Sequence, residues 1–155
     1  MSPTAPTMFP DLETNMRATA EGFIHSFDGR WTTGATMRYR APECEHSMLP
    51  STLGLGTRKK NNEEWAAHFE RLDGLVINAK TTVHDYLAVP SELRAVCRTS
   101  LDADTPVGSY HNDYVWFFTF DKTGQFIVSI TEFMDSKAGA KLLGELTEAG
   151  LLQNH

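Results

Sequence analysis

The stretch from Tyr110 to Asp135 admits little besides two strands and a tight turn. β-Branched and aromatic residues fill both halves, and Asp121-Lys122-Thr123-Gly124 supplies turn chemistry between them. Residues two apart share a face of a strand. Tyr110, Asn112, Tyr114 and Trp116 therefore share one face, and Val128, Ile130, Glu132 and Met134 share a face of the next strand. If those faces meet in a cavity, a carboxylate and two phenols stand on an apolar wall, which is an acid–base site. If they do not, the segment is an ordinary amphipathic hairpin with Glu132 in water. Strand register decides between the two.

The rest of the chain narrows the classes of function. A length of 155 residues suits one domain, with a core that needs no staples. The net charge of -6 argues against nucleic acid and against a membrane surface as partner, because both call for a basic face. No apolar stretch has the length of a transmembrane helix. Residues 1–10 are rich in Pro, Thr and Ser, lack the pattern of a signal peptide, and are expected to form a flexible arm. Residues 11–155 form the single domain. Cys44 and Cys97 make no motif, so a reduced, cytoplasmic protein is expected.

Element order follows from periodicity. Asp11 to Asp28 carries Leu12, Met16, Ala20, Phe23, Ile24 and Phe27 at helical spacing. Ala35 to Tyr39 is expected as a short strand, and Arg40 to Lys60 as irregular chain broken by Pro42, Pro50, Gly54 and Gly56. Asn61-x-x-Glu64 is a capping box opening a helix with Trp65, Phe69 and Leu72 on its stripe. Strands follow at Leu75 to Val89 and Leu93 to Leu101, then the hairpin, then a helix capped by Asp135 or Ser136. Short links between consecutive strands imply an antiparallel meander, with the helices on one face of an α+β fold.

Candidate chemistry is sparse. Glu132 is the first candidate, since a carboxyl on an apolar wall has its pKa raised by burial, and a neighbouring Arg lowers it again. Arg38 is a candidate oxyanion holder if it points inward. Tyr110 and Tyr114 are candidate donors to a carbonyl. His46, in Glu43-Cys44-Glu45-His46, fits no metal-site spacing and is expected over the pocket mouth. Gly54-Leu55-Gly56 lacks the remainder of a dinucleotide fingerprint. No metal and no cofactor are expected.

The ending Tyr114-Val115-Trp116-Phe117, Phe120-Asp121-x-x-Gly124 and Thr131-Glu132-Phe133-x-Asp135-Ser136 resembles the SnoaL-like group of the nuclear transport factor 2-like superfamily. His46-Ser47-Met48-Leu49-Pro50, Leu53-Gly54 and Asn62-x-Glu64-Trp65-x-x-His68-Phe69 resemble small fungal members of that group. The resemblance implies a cone-shaped curved antiparallel sheet wrapped around N-terminal helices. It implies a homodimer joined through the outer sheet face, which Trp116, Phe117, Phe118 and Phe120 in succession also favour. It further implies a cofactor-independent isomerase or cyclase acting on a small hydrophobic, oxygenated secondary metabolite, semipinacol rearrangement of an indole alkaloid being one such reaction. A dehydratase like scytalone dehydratase and a non-catalytic binding module remain alternatives. On this resemblance Glu132, Arg38, Tyr114 and Tyr110 would be catalytic. His46, Met48, Leu49, Trp116, Val128 and Ile130 would line the substrate site.

Overall fold

A computed structural model describes residues 11–53 and 59–152. The expected arm at residues 1–10 lies outside the described residues. Four helices and five strands follow in the order α1 (Leu12–His25), α2 (Thr33–Met37), β1 (Arg40–Leu49), α3 (Asn62–Glu70), β2 (Ile77–Val89), β3 (Arg94–Thr105), β4 (Gly108–Phe120), β5 (Ile127–Met134) and α4 (Ser136–Glu148).

The strands make one curved, open sheet in the order β1-β5-β4-β3-β2. β2 to β5 form the expected antiparallel meander. The sheet is mixed rather than wholly antiparallel, because β1 runs parallel to β5. It is also not closed into a barrel, since β1 and β2 are its two edges.

Two expectations fail in the same neighbourhood. Ala35 to Tyr39 is not a strand, and Thr33–Met37 is a short helix. The segment after it is not irregular, since Arg40–Leu49 is a full edge strand. Pro42 is tolerated there because it lies on the exposed face of an edge strand, where a missing N–H costs least. The register irregularity between Arg40 and Glu45 absorbs it.

α1 lays Met16, Ala20, Phe23 and Ile24 against the concave face of the sheet. Phe23 is the hub of the core. Its ring meets Phe27, Trp116 and Phe118 edge-on at 5.4, 5.3 and 5.5 Å, a geometry that adds to burial. The β4–β5 hairpin is pinned to α1 by Thr19, whose hydroxyl donates to the Gly124 carbonyl at 2.7 Å. Asn15 adds a bond to the Thr123 carbonyl. Gly124 has φ +74°, and a Cβ there would lie 3.0 Å from the Leu12 carbonyl oxygen, so the turn requires glycine. This clamp sets the depth at which β4 and β5 run beneath α1.

Candidate active site

β4 is the central strand, and its inward residues are Tyr110, Asn112, Tyr114, Trp116, Phe118 and Phe120. Beside it, β5 turns Ile127, Ile130, Glu132 and Met134 inward. The simple alternation breaks at Val128. Phe120 pairs with Ile127 while Thr119 pairs with Ser129, so β5 carries one extra residue there. Val128 is left off the inner face, and the parity that placed it beside Glu132 does not hold.

A cavity lies between this wall and the helices. Its floor includes Tyr110, Tyr114, Trp116, Glu132 and Met134, and Trp65, His68 and Phe69 of α3 close one side. Gly139, Leu142 and Leu143 of α4 close another. Counted with its solvent-open mouth, the unfilled space is about 700 Å³, but the centre of a water molecule can visit only about 70 Å³ of it. The space is thus a narrow slot.

At the slot's polar end stands a buried relay. Met48 of β1 is opposite Glu132, and His46, two residues earlier on the same face, reaches Glu132. His46 Nε2 lies 2.8 Å from Glu132 Oε1, and His46 Nδ1 lies 2.7 Å from an Arg40 guanidinium nitrogen. The guanidinium can only donate, so Nδ1 accepts and the imidazole proton sits on Nε2, directed at the carboxyl. His46 is 0% exposed. Burial, then the Arg40 charge, hold its pKa well below 6.5, so it is a neutral relay.

Trp65 positions the relay. The capping box at Asn61 and Glu64 fixes the start of α3, and Trp65 follows it on the first turn. Its ring stacks on His46 at 3.9 Å, with the Arg40 guanidinium 4.8 Å from its centroid.

Glu132 is 5% exposed and lines the slot. Burial pushes its pKa up from 4.5 to about 8, with Arg40 pulling the other way. The expectation that a neighbouring arginine would keep it ionised is therefore corrected. At neutral pH most of it is protonated, and the carboxylate appears as pH approaches 8. Its Oε2 takes no part in the hydrogen bonds among the described residues.

The tyrosines form a second chain. The Asn112 side-chain amide donates to the Tyr110 oxygen at 2.7 Å, and the Tyr110 and Tyr114 oxygens are 2.9 Å apart. When Tyr110 donates its hydrogen bond to the Tyr114 oxygen, the Tyr114 O–H is left for a ligand. Burial raises both phenols above their usual pKa, Tyr114 strongly, so both remain donors.

Arg38 is corrected outright. It is exposed at the C-cap of α2, in a shallow surface depression with His25 and Tyr39, remote from the slot. The buried guanidinium is Arg40, two residues on, because α2 replaces the expected strand and moves the first inward position to β1. Met48 and Trp116 line the slot. His46 sits behind its wall rather than over its mouth. Ile130 is buried in the core, while Leu49 and Val128 are half-buried and outside the lining. The sequence signal for Arg40 and His46 lay in the alternation Cys44, His46, Met48, all inward, against Glu43, Glu45 and Ser47. The slot residues Thr81, Thr99 and His68 had no such signal.

Comparison with known proteins agrees with this architecture. No family model matches the sequence. The Aspergillus aculeatus protein "Monooxygenase AacuP" is 30% identical over 126 residues, 81% of this chain and 85% of that protein. The BvnE pinacolase from Penicillium brevicompactum superposes with a TM-score of 0.79 at 21% identity, covering 90% of this chain and 99% of that one. A protein described as a SnoaL-like polyketide cyclase from Shewanella denitrificans superposes with a TM-score of 0.62 at 13% identity, over 83% and 96% of the two chains. The chain belongs to the same family as the Aspergillus aculeatus protein, and its fold is that of the SnoaL-like structures. Among the described residues, no cluster of three or more His, Cys, Asp or Glu could hold a metal ion, and no helix is long and apolar enough to cross a membrane.

Proposed function

We propose that this protein is an isomerase or cyclase that rearranges an apolar, oxygenated secondary metabolite by moving one proton through Glu132. The observation that carries this reading is the asymmetry of the Glu132 carboxyl. One oxygen is held by a neutral histidine anchored on a buried arginine, and the other has no hydrogen-bond partner among the described residues and lies in an apolar slot. A carboxyl so placed has a pKa of about 8, close to the pH at which it works, which is where proton transfer is most effective.

The steps use this chain's own groups. Tyr114, fed by Tyr110 and Asn112, donates to the substrate oxygen that gains negative charge. The Glu132 carboxylate takes a proton from a carbon or hydroxyl next to that centre. The resulting carboxyl returns the proton to a different atom of the same molecule, so the product is an isomer. In a semipinacol case the carboxylate takes a carbinol proton and the carbinol becomes a ketone as a substituent migrates with its bonding pair to an adjacent C=N carbon, whose π pair moves to nitrogen and takes the proton back from the carboxyl. Arg40 acts through His46, holding Oε1 and tuning the pKa. The name BvnE pinacolase of one structural neighbour supports this variant. Trp31, Trp65, Trp116 and Phe27 fix the conformer and keep water away from the reacting atoms.

Oxygen insertion is the second reading, favoured by the name of the Aspergillus aculeatus relative. The mass of the product separates the two. Deleting the gene in its host makes the substrate accumulate, and the purified protein should convert that compound to a product of unchanged mass. A product heavier by one oxygen atom would support the second reading, and one lighter by a water molecule would make the protein a dehydratase.

A further inference from the structure

The slot has a polar group at its other side that the proton transfer does not use. Thr81 of β2 lines it, is 8% exposed, and its hydroxyl has no hydrogen-bond partner among the described residues. Neighbouring Thr99 of β3 also lines the slot. Its oxygen accepts from the Trp116 indole at 3.1 Å, while its own proton finds no acceptor among the described residues. Thr81 pairs with Leu101, two residues from Thr99, so the two threonines are diagonal neighbours on the inner face. Around them stand Ile24, Phe27, Trp31 and Leu101, which offer no partner.

A buried hydroxyl without a partner is destabilising, so its presence on an otherwise apolar wall calls for a ligand group that completes it. In the sheet order Thr81 is three strands from Glu132, so one ligand oxygen does not serve both.

We propose that Thr81, assisted by Thr99, binds a second oxygen of the substrate, remote from the reacting centre. The substrate class is then an apolar molecule oxygenated at both ends, with a ketone or carbinol at Glu132 and Tyr114 and a hydroxyl or carbonyl at Thr81. This specificity role deepens the function proposed above and rests on the same slot.

The test uses 9-fluorenone, a flat tricyclic ketone, and its monohydroxy isomers as probes. All three tryptophans of the chain line the slot, so quenching of intrinsic fluorescence reports binding. At least one hydroxy isomer should bind the wild-type protein about tenfold more tightly than the parent ketone, the worth of one neutral hydrogen bond. Thr81→Val should abolish that preference and leave 9-fluorenone affinity within about twofold, and Thr81→Ser should restore part of it. Ligand-free Thr81→Val should melt at or above the wild-type temperature, because an unsatisfied hydroxyl is removed. The proposal is overturned if no probe binds, if no isomer is preferred, if the preference survives in Thr81→Val (as it would were a bound water the hydroxyl's sole partner), or if that variant melts several degrees lower. Glu132→Gln should keep the hydroxyl preference. Loss of the Thr81 effect and failure of the proton-transfer reading are thus separately visible.

Discussion

His46 Nε2 stands 2.8 Å from Glu132 Oε1, with neither side chain open to solvent. The pair is not an ordinary ion pair, because burial, and then Arg40 at the other imidazole nitrogen, keep the ring neutral. The positive charge of the relay therefore rests on Arg40. Arg40→Gln removes the charge that lowers the Glu132 pKa, so the ascending limb of the pH–rate profile should move to higher pH by about one unit. A profile unchanged in a folded Arg40→Gln protein would show that the relay does not tune the carboxyl.

Turnover should rise with pH through a midpoint near 8, because the carboxylate form of Glu132 takes the proton. A profile that falls through the same midpoint would make the protonated carboxyl the reacting form.

The tyrosine chain gives a graded outcome. Tyr114→Phe removes the donor that faces the ligand and should cost about tenfold to a hundredfold in kcat/KM. Tyr110→Phe removes only the supporting bond and should cost less, about threefold to tenfold. Equal losses, or a larger loss at Tyr110, would reverse the direction assigned to the Asn112, Tyr110, Tyr114 chain.

Folding stability carries its own signature. The folded pKa of Glu132 is about 8 against an ordinary 4.5, so its contribution is fully present below 4.5 and is lost as pH rises through 8. His46 acts in the other direction. Its folded pKa is depressed, so stability falls as pH drops below 6.5. Between pH 6.5 and 8 the Glu132 effect dominates the buried groups and amounts to about 2 kcal/mol. Urea unfolding across that window should show the decline in wild type and a smaller slope in Glu132→Gln, the remainder including surface His111, whose pKa is raised by Asp102. Parallel slopes would place the Glu132 pKa near its ordinary value.

We also propose a homodimer. Leu87, Phe117 and Phe133 are 71%, 38% and 45% exposed on the outer sheet face, where Val96 lies between Leu87 and Phe117 in register. Light scattering at micromolar concentration should give twice the chain mass, and Phe117→Lys should return it to one. A wild-type monomer would leave this face without a partner copy.

The hairpin and the parity of β4 were legible because long alternating strands on a buried face admit one register. Tyr110, Asn112, Tyr114 and Trp116 fall inward as that parity requires. Val128 does not follow the rule because a bulge is a feature of pairing, invisible in one strand read alone. β1 was missed because its partner, β5, is more than eighty residues away, and Pro42 with flanking acids outweighed a short alternation. That one error moved the arginine from position 40 to position 38. Thr81 was illegible for another reason, since a threonine in a strand looks the same whether or not its hydroxyl finds a partner.

Glu132→Gln, assayed on the compound that accumulates when the gene is deleted, tests the proton-transfer reading most directly. Gln preserves shape and can still meet His46, but it cannot carry the proton. The folded variant should lose roughly two to four orders of magnitude in turnover, while the wild-type protein yields an isomer of unchanged mass. Wild-type turnover by folded Glu132→Gln would contradict the assignment of Glu132 as the proton carrier.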